Sequence, residues 1–103
     1  MALILEITQG NQIGQRFYIR PGVRIGRKNA EILLKDQRVS KLHATFTEDD
    51  KGCLILKDNN SSNGIKFGNQ RVRTLLIKIG QTFSIGTTVF TVVDDEAEST
   101  PSR

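Results

Sequence analysis

The sequence has little of the residues that would mark a particular chemistry. Its 103 residues include one cysteine, Cys53, and one histidine, His43. A single cysteine closes no internal disulfide and no multi-thiolate zinc site, and a single histidine excludes a multi-histidine metal centre. Neither a metal nor a cofactor is expected. There is no tryptophan, one tyrosine and two prolines. No apolar run approaches the roughly 18 residues of a membrane span, so no membrane partner is expected. Met1 to Gln9 has no basic region and no small-residue cleavage site, so no signal peptide is expected and the reading is cytoplasmic. Gly-x-Gly-x-x-Gly, a phosphate loop closed by Gly-Lys-Ser/Thr, and Gly-x-Ser-x-Gly are all missing. No catalytic residue is assigned, and the reading is non-enzymatic. Ser40 and His43, three apart with Asp36 nearby, could suggest a nucleophile and base, but nothing identifies an oxyanion hole.

What is present is charge, unevenly spread. Fifteen basic and 11 acidic side chains give a net charge of +4. Residues 94–103 hold Asp94, Asp95, Glu96 and Glu98 against Arg103 alone. Residues 1–93 therefore carry 14 basic and 7 acidic groups, a net of +7. A basic body points to an anionic partner: nucleic acid, phosphate or an acidic peptide. The segment from Asp94 to Arg103 is charged, lacks large apolar side chains and reads as a disordered tail or the start of a linker.

Apolar and polar residues alternate with a period of two. Leu3, Leu5 and Ile7 alternate with Ile4, Glu6 and Thr8, and Phe17 and Ile19 with Arg16, Tyr18 and Arg20. Val23 and Ile25, Ala44 to Thr47, Cys53 to Asp58, Ile65 to Phe67, Arg71–Val72, Leu75 to Ile79, Thr82 to Ile85 and Thr88 to Val93 bring the total to about ten strands. Leu75 to Ile77 is equally compatible with one helical turn. Turn-forming residues every eight to twelve residues predict an all-β sandwich or barrel over residues 1–93. Cys53, in an apolar strand, reads as an inert core thiol. The five phenylalanines read mostly as core, leaving Tyr18 as the exposed ring. A single exposed ring argues against a nucleic-acid partner, because single-strand binders stack bases on several.

The remaining polar residues gather in three loops: Gly26-Arg27, Arg38-Val39-Ser40-Lys41-Leu42-His43, and Asn59-Asn60-Ser61-Ser62-Asn63-Gly64. In this order, with Ser40-x-x-His43 and with Asp58 leading into Ser61-Ser62-Asn63-Gly64, the chain resembles the forkhead-associated domain. That family is a β-sandwich that recognises phosphothreonine peptides, and the resemblance selects an antiparallel sandwich with ligand-binding loops at one end. The resemblance covers roughly residues 3–93. Val39, Ala44 and the closing segment from Gly80 to Gly86 support it.

The resemblance implies a phosphothreonine-containing protein or peptide as partner and assigns roles. Arg27 is the principal phosphate ligand, and its planar fork suits a group with three acceptor oxygens. Ser40 is the second, through its hydroxyl and its backbone N–H. Gly26 lets the backbone turn so that Arg27 projects. Lys41 adds charge near the phosphate, although the family often has arginine there. Ser62 stands where the family often has threonine. Asn63 reads the residue after the phosphothreonine, with Gly64 behind it, and His43 braces the loops without touching ligand. Gln37 and Arg38 face more distant peptide positions; Arg38 would favour an acidic residue third after the phosphothreonine. A phosphate-independent or self-associating version of the fold is the alternative. Thr100, in Ser99-Thr100-Pro101, is a candidate phosphorylation site for self-interaction.

Overall fold

A computed structural model describes residues 3–95 of the chain. Its elements are eleven strands: β1 (Leu3–Gln9), β2 (Arg16–Ile19), β3 (Arg24–Gly26), β4 (Ile32–Leu33), β5 (Ala44–Glu48), β6 (Leu54–Asp58), β7 (Ile65–Phe67), β8 (Gln70–Val72), β9 (Thr74–Leu76), β10 (Thr82–Ile85) and β11 (Thr88–Asp94). They form two sheets. One has six strands in the order β2-β1-β11-β10-β7-β8, the other five in the order β4-β3-β5-β6-β9. All pairs are antiparallel except β3–β4.

The period-two alternation turns alternate side chains into one shared core. Leu5 and Ile7 of β1, Phe83 and Ile85 of β10, and Phe90 and Val92 of β11 meet Ile25, Ala44, Phe46 and Leu56 from the opposite sheet, all essentially without solvent contact. Phe83 and Phe90 lie directly opposite across β10–β11, with ring centroids 5.3 Å apart. Burying a side chain such as Phe46 contributes roughly 1.5–3 kcal/mol.

Several sequence expectations change in detail. The two-residue β4 was not foreseen; it pairs in parallel with β3, Ile25 opposite Ile32. The stretch Leu75 to Ile77 contributes to a strand rather than a helical turn, but β9 ends at Leu76. Cys53 lies outside β6 and is exposed, so it is not a core thiol. Its N–H instead meets the Asp49 carboxylate at 2.9 Å, closing the turn before the strand. Phe67, near the tip of the β7–β8 hairpin, is 41% exposed rather than core. Asp94, assigned above to the tail, ends β11 opposite Leu3. Residues 96–103, with the rest of that tail and Thr100, lie outside the described residues. Among the described residues, no helix is long and apolar enough to cross a membrane.

The sheets bring four connections to one end of the sandwich: β3–β4, β4–β5, β6–β7 and the β10–β11 turn. Asp36 joins two of them. One carboxylate oxygen accepts the N–H and the hydroxyl of Thr87, both at 2.7 Å, and the other accepts the Arg38 N–H at 2.9 Å. Gly86 (φ 62°) must be glycine on two counts. Its conformation is left-handed, and a Cβ there would lie 2.6 Å from the Asp36 carboxylate and 3.0 Å from Val39.

Candidate functional site

Gly26 ends β3 and sets the position of Arg27. Its role is close approach, not a turn. A Cβ at Gly26 would fall 2.1 Å from the Lys41 carbonyl oxygen, so only glycine lets β3 lie against the β4–β5 loop. The contact is then stitched by backbone: Arg27 N–H donates to Ser40 O and Lys28 N–H to Lys41 O, each at 3.2 Å. Arg27 Nε donates to Val39 O at 2.6 Å. This fixes the guanidinium by one edge and leaves its two terminal amines for a ligand. Val39 itself is anchored in the core.

His43 is fully buried and ties the β4–β5 and β6–β7 loops together. The Ser40 N–H donates to Nδ1 at 3.0 Å, so Nδ1 is the unprotonated nitrogen. Nε2 therefore carries the hydrogen and donates to Gly64 O at 2.8 Å. The bracing role expected for His43 has its geometry here. Neither ring nitrogen is free to take the Ser40 hydroxyl proton, so the two residues do not make a nucleophile–base pair. Among the described residues, no group of three or more His, Cys, Asp or Glu side chains is arranged to hold a metal ion.

Ser40 differs from expectation in one respect. Its backbone N–H is spent on His43 and does not face a ligand. Its hydroxyl oxygen accepts the Ser62 N–H at 3.2 Å, which leaves the hydroxyl hydrogen to donate outward.

The third loop is built on Asp58, which is buried at the end of β6. Its carboxylate accepts the N–H of Ser61 at 3.0 Å, the Ser61 hydroxyl, and Arg73 Nη1 at 3.0 Å. The Ser61 hydroxyl oxygen in turn accepts the Gly64 N–H at 2.8 Å. This fixes Asn63, whose amide nitrogen donates to Arg38 O at 2.7 Å and bridges two loops. Gly64 (φ 72°) is crossed by Arg71; a Cβ there would lie 2.7 Å from Arg71 Nε. Arg71 also donates to the Ser62 carbonyl.

Arg27, Arg38, Ser40, Lys41, Ser62 and Asn63, together with Gln37 and Val39, line one open cavity of about 340 Å³. All six candidate ligands are thus brought together, although they come from three connections. Gly26, His43 and Gly64 lie behind them. Among the described residues, no carboxylate lines the cavity. Asp36, in the same connection as Arg38 and Ser40, is committed to Thr87 and the Arg38 N–H. Burial pushes the Asp36 carboxyl up. The Thr87 hydroxyl, the N–H groups of Arg38 and Thr87, and the Arg38 charge outweigh burial and hold it below its ordinary 3.8. The support given by Asp36 and Arg71 was not legible in the sequence, since their partners are distant in the chain. Gly86 was visible only as the end of the closing segment, with nothing to pair it with Asp36.

The sequence profile of the FHA domain matches residues 23–86. No curated protein matches the chain. Among solved structures, the chain is similar to the FHA domain of the CT664 protein from Chlamydia trachomatis, at 25% identity and a TM-score of 0.79, over 91% of this chain and 98% of that one. The FHA domain of an Arabidopsis thaliana hypothetical protein is 27% identical with a TM-score of 0.79, covering 99% and 90%. A third structure, from an analysis of phosphothreonine-dependent FHA domain interactions, is 27% identical with a TM-score of 0.78, covering 91% and 97%.

Proposed function

The chain belongs to the forkhead-associated domain family, and on that premise we propose that it is a phosphothreonine-dependent protein-interaction module without catalytic activity. The observation that carries this reading is the cavity itself. Arg27, with two terminal amines not used by its bond to Val39, Ser40, with a hydroxyl hydrogen to donate, and Lys41 line one volume with no carboxylate among the described residues on its walls. That donor set matches a phosphate, with about −1.5 to −2 charges and three acceptor oxygens. A solved relative whose FHA interactions are phosphothreonine-dependent supports it.

Arg27 grips two phosphate oxygens, pre-set by its bond to Val39. Ser40 supplies a neutral donor and Lys41 a point charge. Asn63 keeps its amide oxygen and one N–H for the peptide backbone beside the phosphothreonine, and Ser62 flanks it. Arg38, exposed at the rim, favours an acidic residue further along the peptide. The partner is a phosphothreonine-containing protein, not nucleic acid. The exposed rings Tyr18 and Phe67 stand on β2 and β7, four strand spacings or roughly 19 Å apart, too far to form one stacking platform.

Phosphorylated Thr100 would serve a second copy of the chain. β11 carries the chain away from the site over its seven residues, Thr88 to Asp94, roughly 20 Å. The stretch from Asp94 to Thr100 reaches at most about 20 Å. Returning to the same domain's cavity would use all of that reach.

The test is a titration of one peptide in three forms: with phosphothreonine, with phosphoserine and unphosphorylated. The reading expects the phosphothreonine form to bind most tightly and the unphosphorylated form at least a hundred-fold more weakly, on the order of 3 kcal/mol for a charge-assisted cluster. Equal binding of the unphosphorylated form sinks it in favour of a phosphate-independent surface.

A further inference from the structure

Resting on the phosphopeptide reading, we propose that the same end of the sandwich holds a second anion subsite, between Lys66, Arg71 and Arg38, which takes a second phosphate on the C-terminal side of the phosphothreonine. A separate cavity of about 130 Å³ lies here, lined by Arg38, Asn63, Gly64, Lys66, Arg71 and Gly86. Arg38 and Asn63 line this cavity and the first one. The two are therefore neighbours, separated by the side chain assigned to the residue after the phosphothreonine.

The cationic character is built in. Lys66 and Arg71 stand directly opposite one another across β7–β8, so their side chains leave the hairpin on the same face. Like charges in that position destabilise a strand pair unless something neutralises them. Among the described residues, no carboxylate lines the cavity. Asp36 lies behind Gly86, beyond the lining, and its oxygens are already bonded to the Thr87 N–H and hydroxyl and to the Arg38 backbone N–H. Neither Lys66 nor Arg71 has an ion-pair partner among the described residues. Arg71 is held in place by its bond to the Ser62 carbonyl and by its passage over Gly64, so its fork is pre-oriented. Two unmatched positive charges facing an enclosed space fit a dianion better than a single carboxylate.

The experiment is calorimetric titration of the full chain with peptides carrying a phosphothreonine alone, or with phosphoserine or aspartate at each successive position after it. Phosphoserine at one position is expected to tighten binding about ten-fold, on the scale of one charge-assisted contact. Lys66→Gln is expected to remove that gain while leaving the singly phosphorylated peptide within about two-fold. Lys78→Gln, on the β9–β10 connection, is expected to keep the gain. A gain that is equal at every position, or that survives Lys66→Gln, reflects general attraction and overturns the subsite. An equal gain from aspartate overturns the assignment to phosphate. Failure of the singly phosphorylated peptide to bind is a different result, and overturns the phosphopeptide reading itself.

Discussion

Replacing His43 by alanine separates a brace from a ligand. The imidazole is fully buried. Its removal strips the Ser40 N–H of its acceptor and the Gly64 carbonyl of its donor, at 3.0 and 2.8 Å. Each interior group left without a partner costs about 1–3 kcal/mol, and the vacated ring volume adds a smaller term unless water fills it. The expected loss is about 3–4 kcal/mol, a large share of the roughly 5–15 kcal/mol available to a domain. At about 4–8 °C per kcal/mol for a chain of this size, the melting temperature falls by roughly 15–25 °C. Urea unfolding followed by far-ultraviolet circular dichroism measures this, since the chain has no tryptophan to report. Arg27→Ala is the contrast. Arg27 is exposed and gives up one hydrogen bond, so stability changes by about 1 kcal/mol while phosphopeptide binding is lost. If His43→Ala unfolds within about 1 kcal/mol of the parent, the brace is refuted. If it keeps its stability but loses binding, His43 is a ligand.

Further outcomes follow from the same contacts. Gly26→Ala pushes a methyl into the Lys41 carbonyl; because the obstacle is backbone, it is expected to cost at least about 2 kcal/mol by denaturant unfolding and to weaken peptide binding as well. Asp36 has a depressed carboxyl in the folded state, so its contribution is present above the ordinary value of 3.8 and is lost as pH falls through its lower folded value. Stability is therefore expected to drop below about pH 4, and in an acid titration Asp36→Asn is expected to be less stable at pH 7 and to show a shallower acid limb. Exposed Glu31, held at about 2 by its paired bonds to Arg24, acts in the same direction between 4.5 and 2, with little weight because solvent screens the pair. Peptide affinity measured against pH is expected to fall below about pH 6, where the phosphate gains its second proton.

Strand alternation was legible because each long strand buries one face. Leu5 and Ile7, Phe90 and Val92 could be read directly from their period. The failures have local causes. β4 is only Ile32–Leu33, too short to show a period, and it exists because Ile32 fills the core beside Ile25. Cys53 continued an apolar pattern, but the Asp49 turn places it one residue outside the strand. Phe67 kept the alternation of β7 at a hairpin with too little sheet behind it to cover a ring. The candidate site was legible as a set of residues that share one cavity, since Arg27, Ser40 and Asn63 stand in a recognisable order. Their division of labour was not. That the Ser40 N–H serves His43, that Gly26 is needed for approach to Lys41, and that Asp36 pins Thr87 all depend on partners brought together only by the fold.

The central claim is that Arg27 is the phosphate's principal partner. The most direct measurement is the affinity of one phosphothreonine peptide for the parent chain and for Arg27→Ala, each first shown to be folded. The account predicts a loss of about 3 kcal/mol, more than a hundred-fold, as for one side of a desolvated charge-assisted pair. Unchanged affinity in a folded Arg27→Ala protein contradicts it.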